Sequence, residues 1–173
     1  MNNINRTDYL YHYTSLDTLA LILKNHTIRL RPLHTMDDKQ EERSSDMKNI
    51  GKHFFISSWT SDAEESIPMW NLYTPLSSGV RIGLKKNPFK RYPVPKRISS
   101  DATNEVTTFI SGELLNQGVF SPNMRNMNLL KEVVYSDGIN QLEPNVIKRN
   151  SCHSFDFGEF GYIKNSYWRF QKE

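Results

Sequence analysis

Apolar residues recur along this chain with two different spacings, and the changes between them mark its elements. Tyr9 to Thr14 is short and rich in aromatic residues, which predicts a strand. Leu16, Leu19, Ala20 and Leu23 then follow the i, i+3, i+4, i+7 template of a helix burying one face. Ser15 or Thr14 is placed to cap that helix, with Asp17 in its first turn and Asn25 and His26 at its end. Thr27 to Arg31 alternates as a strand stopped by Pro32, and His53 to Trp59 predicts a strong strand. Ser66 to Tyr73 carries Pro68 where a helix tolerates it, in the first turn. Gly79 to Leu84 alternates with Val80, Ile82 and Leu84 inward and Arg81 outward.

The second half is less regular. Pro88, Pro93 and Pro95 lie among basic residues, Val106 to Leu115 has the makings of a helix, and Gly118 to Asn128 is an Asn-rich loop. Residues 86–128 read as an insertion. Leu130 to Tyr135 returns to strand character, Asn140 to Phe155 is ambiguous, and Phe160 to Glu173 reads as extended chain. The expected fold is α+β, one domain over residues 1–173 with a mixed β core and flanking helices.

Composition narrows the class. The chain has 173 residues, enough for one domain with a sizeable core; 37% are hydrophobic and 24% charged, and the net charge is +3. That balance permits contact with phosphates without demanding it. Cys152 is the one cysteine, which excludes an internal disulfide and fits a reducing, cytoplasmic compartment. A dyad with the adjacent His153 is opposed by extended geometry, which points neighbours to opposite faces. Met1 to Asp8 has no apolar leader, and no run reaches the ~18 apolar residues of a membrane span.

From Thr35 to Asn49 the acids Asp37, Asp38, Glu41, Glu42 and Asp46 are interleaved with Lys39, Arg43 and Lys48. They read as a solvated loop leading into a surface helix, rather than a metal site or a paired-acid hydrolase centre. Lys85, Lys86, Lys90, Arg91, Lys96 and Arg97 surround Pro88, Phe89, Tyr92 and Pro95. Such a basic and aromatic stretch suits a nucleic-acid backbone, but a solvated loop accounts for it more readily. No G-x-G-x-x-G or P-loop is present.

Four segments stand in a telling order: HYTSLDTLALIL, FFISSW, PMWNLY followed by GVRIGL, and a terminal K-x-x-x-W-x-F-Q-x-E. This order resembles the bacterial family catalogued as domain of unknown function 2971, over about Tyr9 to Leu84 and Leu130 to the end. That family in turn resembles the ADP-ribosyltransferase fold, in which an early strand carries His or Arg, a middle strand Ser or Tyr, and a late strand Glu. The resemblance implies an NAD+-dependent ADP-ribosyltransferase or NAD+ glycohydrolase, a bacterial toxin or phage-defence effector. Its acceptor would be RNA, DNA, protein or water, and an antitoxin or other regulatory partner could accompany it.

By the same resemblance, Glu173 would stabilise the ribose cation and His12 would fix the bound NAD+. Gln171 shares a strand face with Glu173 and would orient the acceptor. Tyr13, Thr14, Ser57, Ser58 and Tyr73 would contact NAD+, with Tyr73 stacking on the nicotinamide. Arg81 and Lys85 are candidates for the pyrophosphate, or a solvated face. Members of the family continue past this glutamate with Tyr-Arg and a further strand, so the resemblance implies a fragment, a sequence lacking further residues, or a truncated, inactive member. A plainer reading makes His12 a satisfied core histidine, Met69, Trp70 and Tyr73 packing residues, and the whole a non-catalytic nucleic-acid- or protein-binding module.

Overall fold

A computed structural model describes residues 8–75, 77–86, 88–93, 107–108, 110–118, 130–151, 154–157 and 160–173. The Cys152–His153 pair, Lys96, Arg97, Pro95 and most of the Asn-rich loop lie outside these residues. The chain forms two compact units, one of residues 1–86 with 132–173 and the other of residues 87–131. It is a small mixture of helices and short two-stranded sheets, consistent with α+β.

In the larger unit, β1 (Tyr9–Ser15) runs into α1 (Leu16–Asn25) with no loop, because the Ser15 side chain accepts from Thr18 N–H at 3.1 Å and caps the helix. His26 ends α1 in the left-handed region, with φ of 52°. No residue of α1 is buried; its half-buried stripe is Thr18, Leu19 and Ile22, which corrects the expected face of Leu16, Leu19, Ala20 and Leu23. The sequence template located the helix but not the angle at which the cap presents it to β1.

β2 (Arg31–Pro32) pairs with β3 (Phe55–Ile56) antiparallel. These two-residue strands replace the longer ones expected over Thr27 to Arg31 and His53 to Trp59, and Pro32 is the last residue of β2. Hydrogen bonding to a partner, not β-propensity, defines strand length, and the flanking residues are committed elsewhere. Thr60, beyond β3, bridges to Tyr11 of β1.

α2 (Ile67–Tyr73) starts with Pro68 in its first turn, as expected. β4 (Gly79–Lys85) lies antiparallel to β1 with His12 opposite Ile82 and Tyr13 opposite Arg81. Gly83 stands opposite Tyr11, where an added Cβ would come within 3.2 Å of that ring. Arg81 is not on a solvated face: its guanidinium lies 3.8 Å from the Tyr11 ring centre and donates to the carbonyls of Asp62, Ala63 and Glu64. These carbonyls, invisible to a side-chain pattern, cover the arginine.

In the smaller unit, β5 (Tyr92–Pro93) pairs with β6 (Thr107–Thr108), and α3 (Gly112–Asn116) follows. The expected helix over Val106 to Leu115 is thus a strand and a later, shorter helix, because Ser111 caps at Leu114 N–H and fixes the start.

The larger unit continues with β7 (Val134–Ser136), α4 (Ile139–Leu142), β8 (Ile147–Ser151), β9 (Ser154–Phe157) and β10 (Ile163–Asn165). β7 and β10 are parallel, and β8 pairs with β9. β7 begins later than the expected Leu130, since Val133 N–H is spent on the carbonyl of Glu173. After β10 the expected extended chain is instead a 3₁₀ helix, Ser166–Gln171. The Asn165 side chain accepts from Tyr167 N–H and diverts the backbone from a ladder.

The core joins Leu33, Ile50, Val146 and Phe160, with Phe54 edge-on to Phe160 at 4.9 Å between ring centres. Asp46 ties the two halves of this unit by accepting from Val146 and Ile147 N–H at 2.9 and 2.8 Å. Leu33 is fully buried. Leu33→Ala is expected to cost about 2–5 kcal/mol, read as a lower denaturation midpoint at unchanged slope.

Candidate functional site

Lys164 in β10 is buried, and its ammonium gathers three side chains. It donates to the Gln171 amide oxygen at 2.8 Å and to the Glu173 carboxylate, and it lies 3.2 Å from Glu41. An ammonium only donates, so the Gln171 oxygen must face it and the amide nitrogen faces away, donating to the Tyr73 hydroxyl. Glu173 N–H donates to the Tyr135 hydroxyl at 3.0 Å. Two aromatic hydroxyls, an amide and two carboxylates are thereby organised around one cation.

The residues that bring Gln171 and Glu173 together are not those of a strand. Gln171 ends the 3₁₀ helix and Lys172 follows in the left-handed region at φ 50°, which turns the backbone between the two side chains. The shared strand face expected for them is corrected, although both still reach Lys164. The Lys172 carbonyl accepts from the Thr60 hydroxyl at 2.9 Å, and Thr60 bridges to Tyr11, so the terminal segment lies against the strand that carries His12.

His12 presents Nδ1 to the Ser58 carbonyl at 2.8 Å. A carbonyl only accepts, so Nδ1 holds the hydrogen and Nε2 is left as an acceptor. The ring packs against Trp59 at 5.0 Å between centres. Burial lowers its pKa, against the Ser58 hydrogen bond and the Glu173 carboxylate, which both favour the charged form. The imidazole is therefore neutral at neutral pH and shares the electrostatic field of Glu173.

The other expected contacts divide. Tyr73 joins the cluster through Gln171, and burial raises its pKa to about 12, so the phenol stays protonated. Ser58 contributes its carbonyl to His12, whereas the Ser57 hydroxyl accepts from Trp59 at 2.9 Å. Thr14 is buried on the His12 side of β1. Tyr13 is buried against Trp70 with its hydroxyl accepting from Ser66 N–H. Beside it opens a cleft of about 300 Å³ bounded by Tyr13, Thr60, Asp62, Glu64, Glu65, Phe170, Gln171 and Lys172. Its acids outnumber its lysine. His12, Tyr73 and Glu173 are not among its walls.

Asp38 and Glu41 overturn the solvated reading of the acidic stretch: both are buried. Asp38 caps a turn at Gln40 N–H and lies 3.4 Å from Asn165 N, and Glu41 is offset by the Lys164 charge. Turns, not a helix, fill this stretch before the 3₁₀ segment Ile50–Lys52. Burial raises the Glu41 pKa to about 7, with Lys164 opposing and Glu173 and Asp38 reinforcing the rise. Burial alone would lower that of Lys164, but Glu173 and Glu41 overcome it and raise it. Among the described residues, no three His, Cys, Asp or Glu are grouped to hold a metal ion. From sequence, Glu41 is placed only among the acids of a solvated stretch or a paired-acid centre, and Lys164 is given no role although it opens the K-x-x-x-W-x-F-Q-x-E motif.

The Glu41 shift has a measurable consequence. The folded protein holds this proton to about pH 7 against an ordinary 4.5, so its contribution to stability is full below 4.5 and lost as pH rises through 7. Glu41→Gln removes the titration. The melting temperature of the variant relative to wild type is expected to climb between pH 5 and 8.

No family model, no curated protein and no solved structure matches the chain. No helix among the described residues is long and apolar enough to cross a membrane.

Proposed function

We propose that this protein cleaves the nicotinamide–ribose bond of NAD+ and passes the ADP-ribosyl group to an acceptor. The observation that carries the reading is the approach of the terminal segment to β1, which puts a neutral imidazole and an oriented carboxylate in one field. As the bond breaks, its electron pair leaves with nicotinamide, which becomes neutral, and the ribose gains oxocarbenium character. Glu173 would oppose that growing positive charge and accept from a ribose hydroxyl. His12 Nε2, free to accept, suits the carboxamide N–H or an adenosine-side hydroxyl, and Gln171 suits the acceptor.

A non-catalytic binding module is favoured by one observation: the Glu173 side chain is only 4% exposed and already paired with Lys164. NAD+ labelled separately in its nicotinamide and adenine halves distinguishes the readings. Nicotinamide release above the buffer rate is expected, with the adenine label on protein, on RNA, or left as free ADP-ribose. No release would leave the binding module.

A further inference from the structure

The Lys164 ammonium has three side-chain acceptors around it and hydrogen-bonds two of them. Three N–H donors leave Nζ; one meets Gln171, one meets Glu173, and Glu41 lies 3.2 Å away. The Glu41 side chain is 1% exposed, and neither of its oxygens has a hydrogen-bond partner among the described residues. An ionised carboxylate buried this way is costly unless a donor turns to it. Glu173 meanwhile cannot offer its full charge to a ligand while it holds the ammonium.

Resting on the NAD+ reading above, we propose that Lys164 is a positioning residue shared between Glu173 and Glu41, and that Glu41 takes the ammonium when a ribose hydroxyl occupies Glu173. The handover needs only rotation of Nζ over a short distance. It frees Glu173 without stranding a buried cation, and the Gln171 bond keeps Lys164 in place throughout. Glu41 can receive the ammonium only when ionised. The charged and titratable groups facing it are Lys164, Glu173 and Asp38. Tyr73 and Tyr135 stand around the same charges, with Asp37 also acting on Tyr73, and His12 meets the field of Glu173.

The test compares nicotinamide release by wild type, Glu41→Gln and Glu41→Asp from pH 5.5 to 8.5, with melting curves confirming that each variant is folded. Wild-type kcat/KM is expected to rise through pH 7. Glu41→Gln should lack that rise and fall by about 10–100-fold at pH 8, the scale of one charge-assisted hydrogen bond. Glu41→Asp, which keeps the charge, should retain the rise. An active wild type whose rate and pH profile are matched by Glu41→Gln overturns the handover while leaving NAD+ cleavage intact. A folded wild type that releases no nicotinamide overturns both.

Discussion

Lys164→Met is expected to destabilise the protein by about 3–5 kcal/mol at pH 8, the cost of removing one member of a buried ion pair. Methionine preserves most of the stem volume, so the loss is one of charge and hydrogen bonds rather than packing. It abandons two carboxylates whose side chains are 1% and 4% exposed, Glu41 and Glu173, with no cation between them. Gln171 also loses the donor to its amide oxygen. The two acids can recover by binding protons, so the penalty should shrink as pH falls toward 5. For a chain of this length the melting temperature should drop by roughly 6–20 °C at pH 8. A fall independent of pH would mean that the acids do not depend on Lys164.

Glu173→Gln is expected to reduce the rate of nicotinamide release by about 100–1,000-fold, the usual consequence of deleting one charge-stabilising group from a reacting site. The amide keeps the shape of the carboxylate and still accepts from Lys164, which protects the fold. It carries no charge to set against the ribose cation. Because that cation develops during bond breaking, the loss should fall on kcat and not on KM. Single-turnover kinetics at saturating NAD+ separate the two. A raised KM with unchanged kcat would make Glu173 a binding residue.

What was legible in the sequence was local. Ser15 capping α1, Pro68 opening α2 and the existence of strands β1 and β4 each depend on residues a few positions apart, and each appears in the structure. The strands that shrank, over Thr27 to Arg31 and His53 to Trp59, depended on partners that a local pattern cannot supply. The terminal segment misled for a different reason: Asn165 competes for the backbone and winds Ser166–Gln171 into a 3₁₀ helix.

Within the candidate site, the motif order brought His12, Gln171 and Glu173 to attention. The charge that organises them was hidden. Glu41 lies in an acidic stretch that reads as solvent-facing, and only the return of β10 places Lys164 against it. Sequence pattern reports which faces are apolar. It does not report which buried acid will find a distant lysine; here burial raises the Glu41 pKa, and the pairing opposes that rise while raising the pKa of Lys164.

The central claim is that Glu173, paired with Lys164 in a segment that Thr60 ties to β1, acts on NAD+. Its most direct test is the initial rate of nicotinamide release by wild type and Glu173→Gln, measured together at pH 7.5 on samples with matching melting curves. The account predicts clear release by wild type and about 1% of that rate or less in the variant. Equal rates in the two proteins, whether measurable or at background, would contradict it.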